Sequence, residues 1–183
     1  KQAIGDLPDP KYDNKNGKNY GWSSYSVGNN SSYAKKMRGE PPAHLGSNLA
    51  RTMMQNNLVS GCFGTVHSED VITRFAETVP GKIEPISRYP RLDWNGLCPT
   101  LRAGTGSDRG NFQAMRPLHP EDPRVITVRE AARLQGFPDW FLFHETKHHS
   151  FRMIGNSVSP LLSEQIMKLL RSKICSSAKR KKC

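Results

Sequence analysis

The sequence predicts a mixed α+β fold in which short strands and loops come first and helices come last. Residues 8–46 are dense in Asn, Ser, Gly, Tyr and Lys, a composition typical of loops. Short apolar runs between residues 60 and 80 fit one or two short strands, or a helix. Two segments near the carboxyl end carry the capping residues and apolar spacing of helices.

An extended path is predicted for residues 83–94, before the helices. Pro85 and Pro90 interrupt this stretch. Proline removes an amide donor and also disfavours helical backbone at the residue before it.

The first helix is predicted to begin after Thr127. The Thr127 hydroxyl can accept from the amide of Glu130 while the Glu130 carboxylate reaches back, which is a capping box. Gly136 provides a left-handed stop, and Pro138 prevents continuation. The helix is therefore expected to end at Leu134 or Gln135.

The second helix is predicted to begin at Ser159 and Pro160, because proline at the first helical position loses no hydrogen bond. Its apolar residues fall on one face: Leu162, Ile166, Leu169 and Leu170. This stripe must pack against something, either in this chain or in another.

The charge of the chain favours an anionic partner. The formal net charge is +11, and nucleic acid is the commonest partner of a basic domain. Six basic residues and no acid follow Leu170, so the rest of the chain carries only +5. A charged tail is more often a solvated end than a binding arm, so the tail does not by itself predict the function.

No disulfide framework or metal site is predicted. The four cysteines show neither close pairing nor regular spacing. His144 and His148 stand four residues apart, but no further ligand pattern completes a site.

No stretch is long enough to cross a bilayer and no signal peptide opens the chain, so a soluble, intracellular protein is expected. The first residue is Lys1 rather than Met, which suggests that something precedes it.

Two long motifs near the carboxyl end carry a family resemblance. Residues 129–139 read REAARLQGFPD, and residues 151–160 read FRMIGNSVSP. The first resembles the ninth conserved motif of the DNA (cytosine-5) methyltransferase family, and the second resembles its tenth and last. Spacing alone leaves open whether Arg129 and Glu130 orient neighbouring loops or form an ordinary exposed ion pair.

The second motif predicts a site for a methyl donor. Residues 155–157 are interpreted as a tight turn directly before a helix, with small polar side chains and free amides that could hold a carboxylate. A plain helix-entry turn would have the same residues. The resemblance implies that Asn156, Ser157 and Val158 contact S-adenosyl-L-methionine.

A glycine-rich and arginine-rich segment, residues 99–110, predicts a DNA contact. Such a segment lets backbone approach a groove while arginines contact guanine edges or phosphates, although a flexible surface turn has the same composition. It is similar to the family's target-recognition region. The resemblance implies that Thr100 touches a phosphate and that the next residues lie against the major groove: Arg102, Ala103, Gly104, Thr105 and Gly106. Arg91 and Arg109 are further DNA-binding candidates.

The family's catalytic residues are not found in this sequence. The nucleophile of the family sits in a Pro-Cys dipeptide, and no cysteine here follows proline. There is also no Glu-Asn-Val segment and no Phe-x-Gly-x-Gly loop. The chain is therefore expected to be inactive alone, as either a domain of a longer enzyme or a subunit of a split one, with double-stranded DNA and the catalytic domain or subunit as partners.

The resemblance also implies a domain organisation. The chain would form a small α+β target-recognition domain, with a carboxy-terminal helix that completes an α/β S-adenosylmethionine-dependent methyltransferase domain. The predicted segments are a linker (1–20), a target-recognition region (21–126), the ninth and tenth motifs (127–158), a docking helix (159–174) and a basic tail (175–183). A bacterial restriction-modification setting in the cytoplasm is expected, with a nuclear enzyme as the alternative. A non-catalytic, sequence-specific DNA-binding module is the alternative function.

Overall fold

The computed structural model of the protein describes residues 1–12, 20–26, 28, 31–104 and 115–180, with side chains as far as residue 175. The elements of this part are β1 (Ser23–Ser24), α1 (Ser32–Met37), α2 (Asn48–Gln55), β2 (Leu58–Val59), α3 (Glu69–Glu77), α4 (Val128–Gln135), α5 (Lys147–Asn156) and α6 (Pro160–Arg180). The two strands pair antiparallel, with Ser23 opposite Val59 and Ser24 opposite Leu58. The predicted mixed α+β class is confirmed.

The amino-terminal half contains more helix than the composition predicted. Within residues 8–46, α1 begins where the Ser31 hydroxyl accepts from the amide of Ala34. Between residues 60 and 80, the open choice between strand and helix is decided by α3. The prediction of loop alone for residues 8–46 was wrong, because polar helices owe their stability to packing that composition does not reveal.

Residues 83–94 contain no helix, as predicted, but they do not follow one extended path, because a turn at residues 85–87 reverses the chain. Ile83 bridges to Pro90, and Arg91 bridges to Leu118. Leu118 in turn bridges to Val125, just before α4. These isolated bridges tie the middle of the chain to the carboxy-terminal motifs.

Helix α4 has the predicted boundaries. Both hydrogen bonds of the capping box between Thr127 and Glu130 are present, and Gly136 ends the helix at a φ of 88°. Helix α6 begins at Pro160 as predicted, but it runs to Arg180 and so extends beyond the expected end at residue 174.

The main core lies where α4 and α5 pack together. Its buried residues come from both helices and from distant loops, including Ile4, Leu92, Leu101, Ile126, Phe137, Phe151 and Ile154. Leu101 belongs to the predicted DNA-contacting segment, so that segment is anchored in the core at one point.

The charged residues of α4 are buried, which excludes one of the two open alternatives, the ordinary exposed ion pair. Arg129 and Glu130 do not pair with each other: Arg129 donates to the carbonyl and hydroxyl oxygens of Ser60 at 2.8 Å, whereas Glu130 accepts two bonds of 2.9 Å from Arg124. Arg133 donates to both carboxylate oxygens of Asp139 at 2.6 and 2.7 Å. These side chains form an internal scaffold, since buried charges are tolerated only when they are paired and hydrogen-bonded.

Candidate functional site

The segment from Thr100 to Gly104 alternates between surface and core. Thr100 and Arg102 are exposed, whereas Leu101 between them is buried. The carbonyl oxygen of Arg102 accepts a 2.9 Å bond from the amide of Met115. The Thr100 hydroxyl and the Arg102 guanidinium therefore lie at the surface. The backbone between them is held by the burial of Leu101 and by the hydrogen bond from Met115.

Three of the predicted DNA-binding residues, Thr105, Gly106 and Arg109, lie outside the described residues. The last described position of this segment, Gly104, has a φ of 68°. That left-handed conformation suits glycine and few other residues.

Arg91 lies inside the protein rather than at a surface that DNA could reach. It is 7% exposed. Its guanidinium donates to five backbone carbonyls at 2.6–3.3 Å, belonging to Phe75, Ala76, Thr78, Pro120 and Glu121. The structure therefore gives Arg91 a different role from the expected DNA contact: it ties the end of α3 to the turn before α4.

The predicted donor-binding residues lie at the carboxyl end of α5. Asn156 is the last residue of the helix, and Ser157 follows as its cap. The interpretation of residues 155–157 as a separate tight turn with free amides was wrong, because Ile154 is buried in the core and the helix continues past it. The amide and the hydroxyl of Ser157 both donate to the carbonyl oxygen of Ile154. The side chains of Asn156 and Val158 are exposed.

The two predicted sites meet at Gly155. A Cβ atom added to Gly155 would lie 2.7 Å from the Cα of Ala103 and from the carbonyl carbon of Arg102, and still closer to the Ala103 nitrogen. A real Cβ atom essentially never lies this close to backbone atoms, so only glycine fits at this position. The backbone of the predicted DNA segment therefore packs directly on the helix that ends in the predicted donor-binding residues.

The end of α4 contacts the other side of the predicted donor-binding residues. The Gln135 side-chain amide donates to the carbonyl oxygen of Ser157 at 3.0 Å. A Cβ on Gly136 would lie 3.0 Å from both Leu161 Cγ and Ser159 Oγ. Residues 157–161 are thus positioned by the end of the first motif as well as by α5.

Three bases that the sequence interpretation missed lie close together beside α5: His67, Arg116 and Lys147. Burial lowers the pKa of His67, and the positive charges of Lys147 and Arg116 lower it further. Burial, together with the charge of Arg116, also lowers the pKa of Lys147. His67 and Lys147 are 80 positions apart in the sequence, with Arg116 between them, so no local motif could have indicated the cluster.

The apolar stripe of α6 is uncovered in the described part of the chain. Leu162, Ile166, Leu169 and Leu170 are each 47–61% exposed. A neighbouring position, Glu164, instead pairs with Lys36 of α1 at 3.0 Å and so fixes the helix against the rest of the protein.

The described part of the chain contains neither a membrane-spanning helix nor a cluster of metal ligands. None of its helices combines the length and the apolar content that crossing a bilayer would require. No three of its His, Cys, Asp and Glu side chains gather as a metal site would need.

The sequence profile of the C-5 cytosine-specific DNA methylase family matches residues 1–172. The chain belongs to this family, which confirms the resemblance drawn from its two motifs. It is 49% identical over 181 residues to the Type II methyltransferase M.XorII of Xanthomonas oryzae pv. oryzae, a match that covers 93% of this chain and 41% of that protein. It is 30% identical over 194 residues to DNA (cytosine-5)-methyltransferase 1A of Oryza sativa subsp. japonica, which covers 95% of this chain and 12% of the rice protein.

The fold of the chain is also similar to that of a solved structure. An E. coli protein described as a DNA modification methyltransferase encoded within a prophage matches with a TM-score of 0.77 and 43% identity. The match covers 93% of this chain and 45% of that one. The chain thus spans less than half the length of each of these relatives.

Proposed function

We propose that this chain is the carboxy-terminal, DNA-recognising and donor-pocket-completing part of a DNA (cytosine-5) methyltransferase. The contact of Gly155 with Arg102 and Ala103 carries this proposal. It joins the segment that would meet DNA to the residues that would meet the methyl donor. An enzyme that methylates a base within a particular DNA sequence must hold its DNA-recognition segment and its methyl donor in a fixed relative position.

On the DNA side, the exposed hydroxyl of Thr100 would bind a phosphate, and the exposed guanidinium of Arg102 would reach the major groove. Hydroxyls and arginines are common donors to phosphate oxygens, and arginine pairs well with the edge of guanine. The proposed interface also includes Ala103, Gly104, Thr105, Gly106 and Arg109. Arg91 is left out, because its donors are used by backbone carbonyls within the protein.

On the donor side, Asn156, Ser157 and Val158 would form one edge of a pocket for S-adenosyl-L-methionine. Their chemistry fits this role, since an exposed amide and an exposed apolar side chain stand two residues apart. When bound, the donor supplies the methyl group that is transferred to cytosine. The part of these three residues is to orient it, with the backbone of Ser157 held by Gln135.

The nucleophile would come from another segment of the enzyme. Burial raises the pKa of Cys62 to about 12 and that of Cys98 to about 11. Both are therefore thiols near neutral pH, and the thiolate is the reactive form. We propose that the catalytic cysteine and glutamate lie on a catalytic domain or subunit, on which the apolar stripe of α6 packs. A bacterial restriction-modification setting fits the Xanthomonas relative.

A methyl-transfer assay tests the proposed function. Labelled S-adenosyl-L-methionine and duplex DNA would be supplied to the chain alone, to a catalytic segment of the family alone, and to the two together. Transfer is expected only with the two together. Transfer by the chain alone would contradict the proposal. Duplex binding that neither the donor nor the catalytic segment changes would instead support a non-catalytic DNA-binding module.

A further inference from the structure

Three basic side chains gather at the start of α5, near the segment that follows β2. Lys147, the first residue of α5, donates to the carbonyl oxygen of Gly64 at 2.7 Å and to the Thr65 hydroxyl at 3.3 Å. The guanidinium carbon of Arg116 lies 5.0 Å from the centre of the Phe151 ring. Residues four apart share one face of a helix, so Arg116 over Phe151 stands beside Lys147. We call His67, Arg116 and Lys147 the basic pocket.

The basic pocket has donors that are not used. The Nε of Arg116 and the Nε2 of His67 are buried and have no hydrogen-bond partner among the described residues. Buried polar groups normally have a partner. Within the described part of the chain, neither Arg116 nor Lys147 forms an ion pair with a carboxylate. An anion beside Arg116 and Lys147 would offset the repulsion between their positive charges.

The pocket borders an open cleft. Thr65 and His67 line a cleft of about 610 Å³. The same cleft contains Asp9 and Asp122, and Asp122 is held by Arg124 at 3.0 Å. Neither acid pairs with the basic pocket in the described part of the chain. His67 faces this cleft, whereas Arg116 and Lys147 are not among the residues that line it.

The position of the pocket relates it to the proposed DNA interface. Arg116 directly follows Met115, whose amide bonds to Arg102. Helix α5 carries Lys147 at one end and Gly155, packed on Ala103, near the other. The eight steps from Lys147 to Gly155 span roughly 12 Å along the helix, which is about the width of the major groove. A duplex resting on the segment that begins at Thr100 would bring backbone phosphates near the pocket.

We propose that the basic pocket binds a backbone phosphate of the DNA duplex recognised by this chain. This inference rests on the proposed function and adds a contact to it. The contact would hold the duplex in register without reading its sequence, because a phosphate is the same at every base pair.

Salt titration of DNA binding tests the pocket. The assembled enzyme, meaning this chain joined to or mixed with the segment that supplies the catalytic cysteine, would be titrated with a labelled duplex at several salt concentrations. Lys147→Gln is expected to make the slope of log affinity against log salt less negative by about 0.9, the loss of one phosphate contact. The affinities for specific and non-specific duplexes should fall equally. Lys147→Arg should restore the slope, and Lys35→Gln, an exposed lysine on α1, should leave it unchanged.

An unchanged slope in Lys147→Gln, when the wild-type enzyme binds DNA, would overturn the pocket and leave the proposed function intact. Absence of duplex binding by the wild-type enzyme would overturn both.

A measurement on the unmodified protein covers the case in which the variant fails to fold. Acetylation of lysines by a soluble ester, followed by mass spectrometry, should show Lys147 protected several-fold by duplex DNA and Lys35 unprotected. Equal reactivity of Lys147 with and without DNA would also contradict the proposal.

Discussion

At the scale of single residues, Gly155 joins the two halves of the proposed site. Its missing side chain lets the backbone at Ala103 lie against α5, so any larger residue would separate the DNA-facing segment from the donor-facing one. The neighbouring residues are constrained less tightly. Asn156 and Val158 are exposed, so substitutions there would change the site and leave the core intact.

Gly155→Ala is expected to destabilise the chain by about 1–3 kcal/mol, because the added methyl must displace backbone rather than a flexible side chain. Methyl transfer by the assembled enzyme should fall with it. Urea unfolding and the transfer assay measure the two effects. Gly28→Ala is the matched control, since a Cβ at Gly28 would meet nothing within 4 Å. Equal stability of the two variants would contradict the close contact.

Thr100→Val tests the phosphate contact at the proposed DNA interface. Valine keeps the shape of threonine and removes only the hydroxyl, so the fold should be unaffected. The loss of a hydrogen bond to a charged group, about 1.5 kcal/mol, corresponds to roughly tenfold weaker duplex binding. Fluorescence anisotropy with a labelled duplex measures it. The matched control, Thr52→Val on the exposed face of α2, should bind like wild type, and wild-type affinity in Thr100→Val would argue against the contact.

At the scale of elements, α4 is a scaffold that is held in place by buried ion pairs. Arg133 joins Asp139, which follows the helix, to Asp6 near the start of the chain. Tyr25 also donates to Asp139, at 2.5 Å. Three distant segments thus converge on one short helix, and its end positions residues 157–161.

The capping box of this helix could be predicted from the sequence because all its partners lie within four residues. The burial of its arginines could not, because their partners lie up to 130 residues away.

Asp139→Asn should destabilise the chain by about 3 kcal/mol, because it leaves the buried guanidinium of Arg133 without its closest counter-charge. Urea unfolding followed by circular dichroism measures the change. Glu164→Gln makes the same acid-to-amide change in exposed ion pairs with Lys36 and Lys168, and should leave the unfolding transition nearly unchanged. Similar losses in the two variants would show that the α4 network contributes no more than a surface pair.

At the scale of the whole molecule, the described part of the chain has a core but leaves one helix face uncovered. The residues of the apolar stripe of α6 are 47–61% exposed, although Glu164 of the same helix pairs with α1. A contiguous apolar face of this kind marks an interface. Together with the chain's span of less than half of its relatives, this face supports assembly with a catalytic segment.

Ile166→Glu is expected to prevent that assembly while the fold of this chain is retained, because a charge would be placed in an apolar contact. Co-elution with the catalytic segment in size-exclusion chromatography should be lost, and methyl transfer with it. Gln165→Glu, at the adjacent exposed position of α6, adds the same charge outside the stripe and should leave both unchanged. Normal assembly of Ile166→Glu would show that the stripe is not the interface.

The sequence by itself determined the features whose causes lie within a few residues. The capping box at Thr127, the glycine stop at Gly136, the start of α6 at Pro160 and the two family motifs all belong to this class. Hydrogen bonds and backbone restrictions between near neighbours fix such features, so they can be predicted without knowing the fold.

Only the tertiary structure decided which distant residues meet. It removed Arg91 from the surface, extended α5 through Asn156, packed Gly155 on Ala103 and gathered the basic pocket from three separate segments. Each of these outcomes depends on contacts between residues far apart in the chain. The packing of the whole core selects such contacts, and no local pattern encodes them.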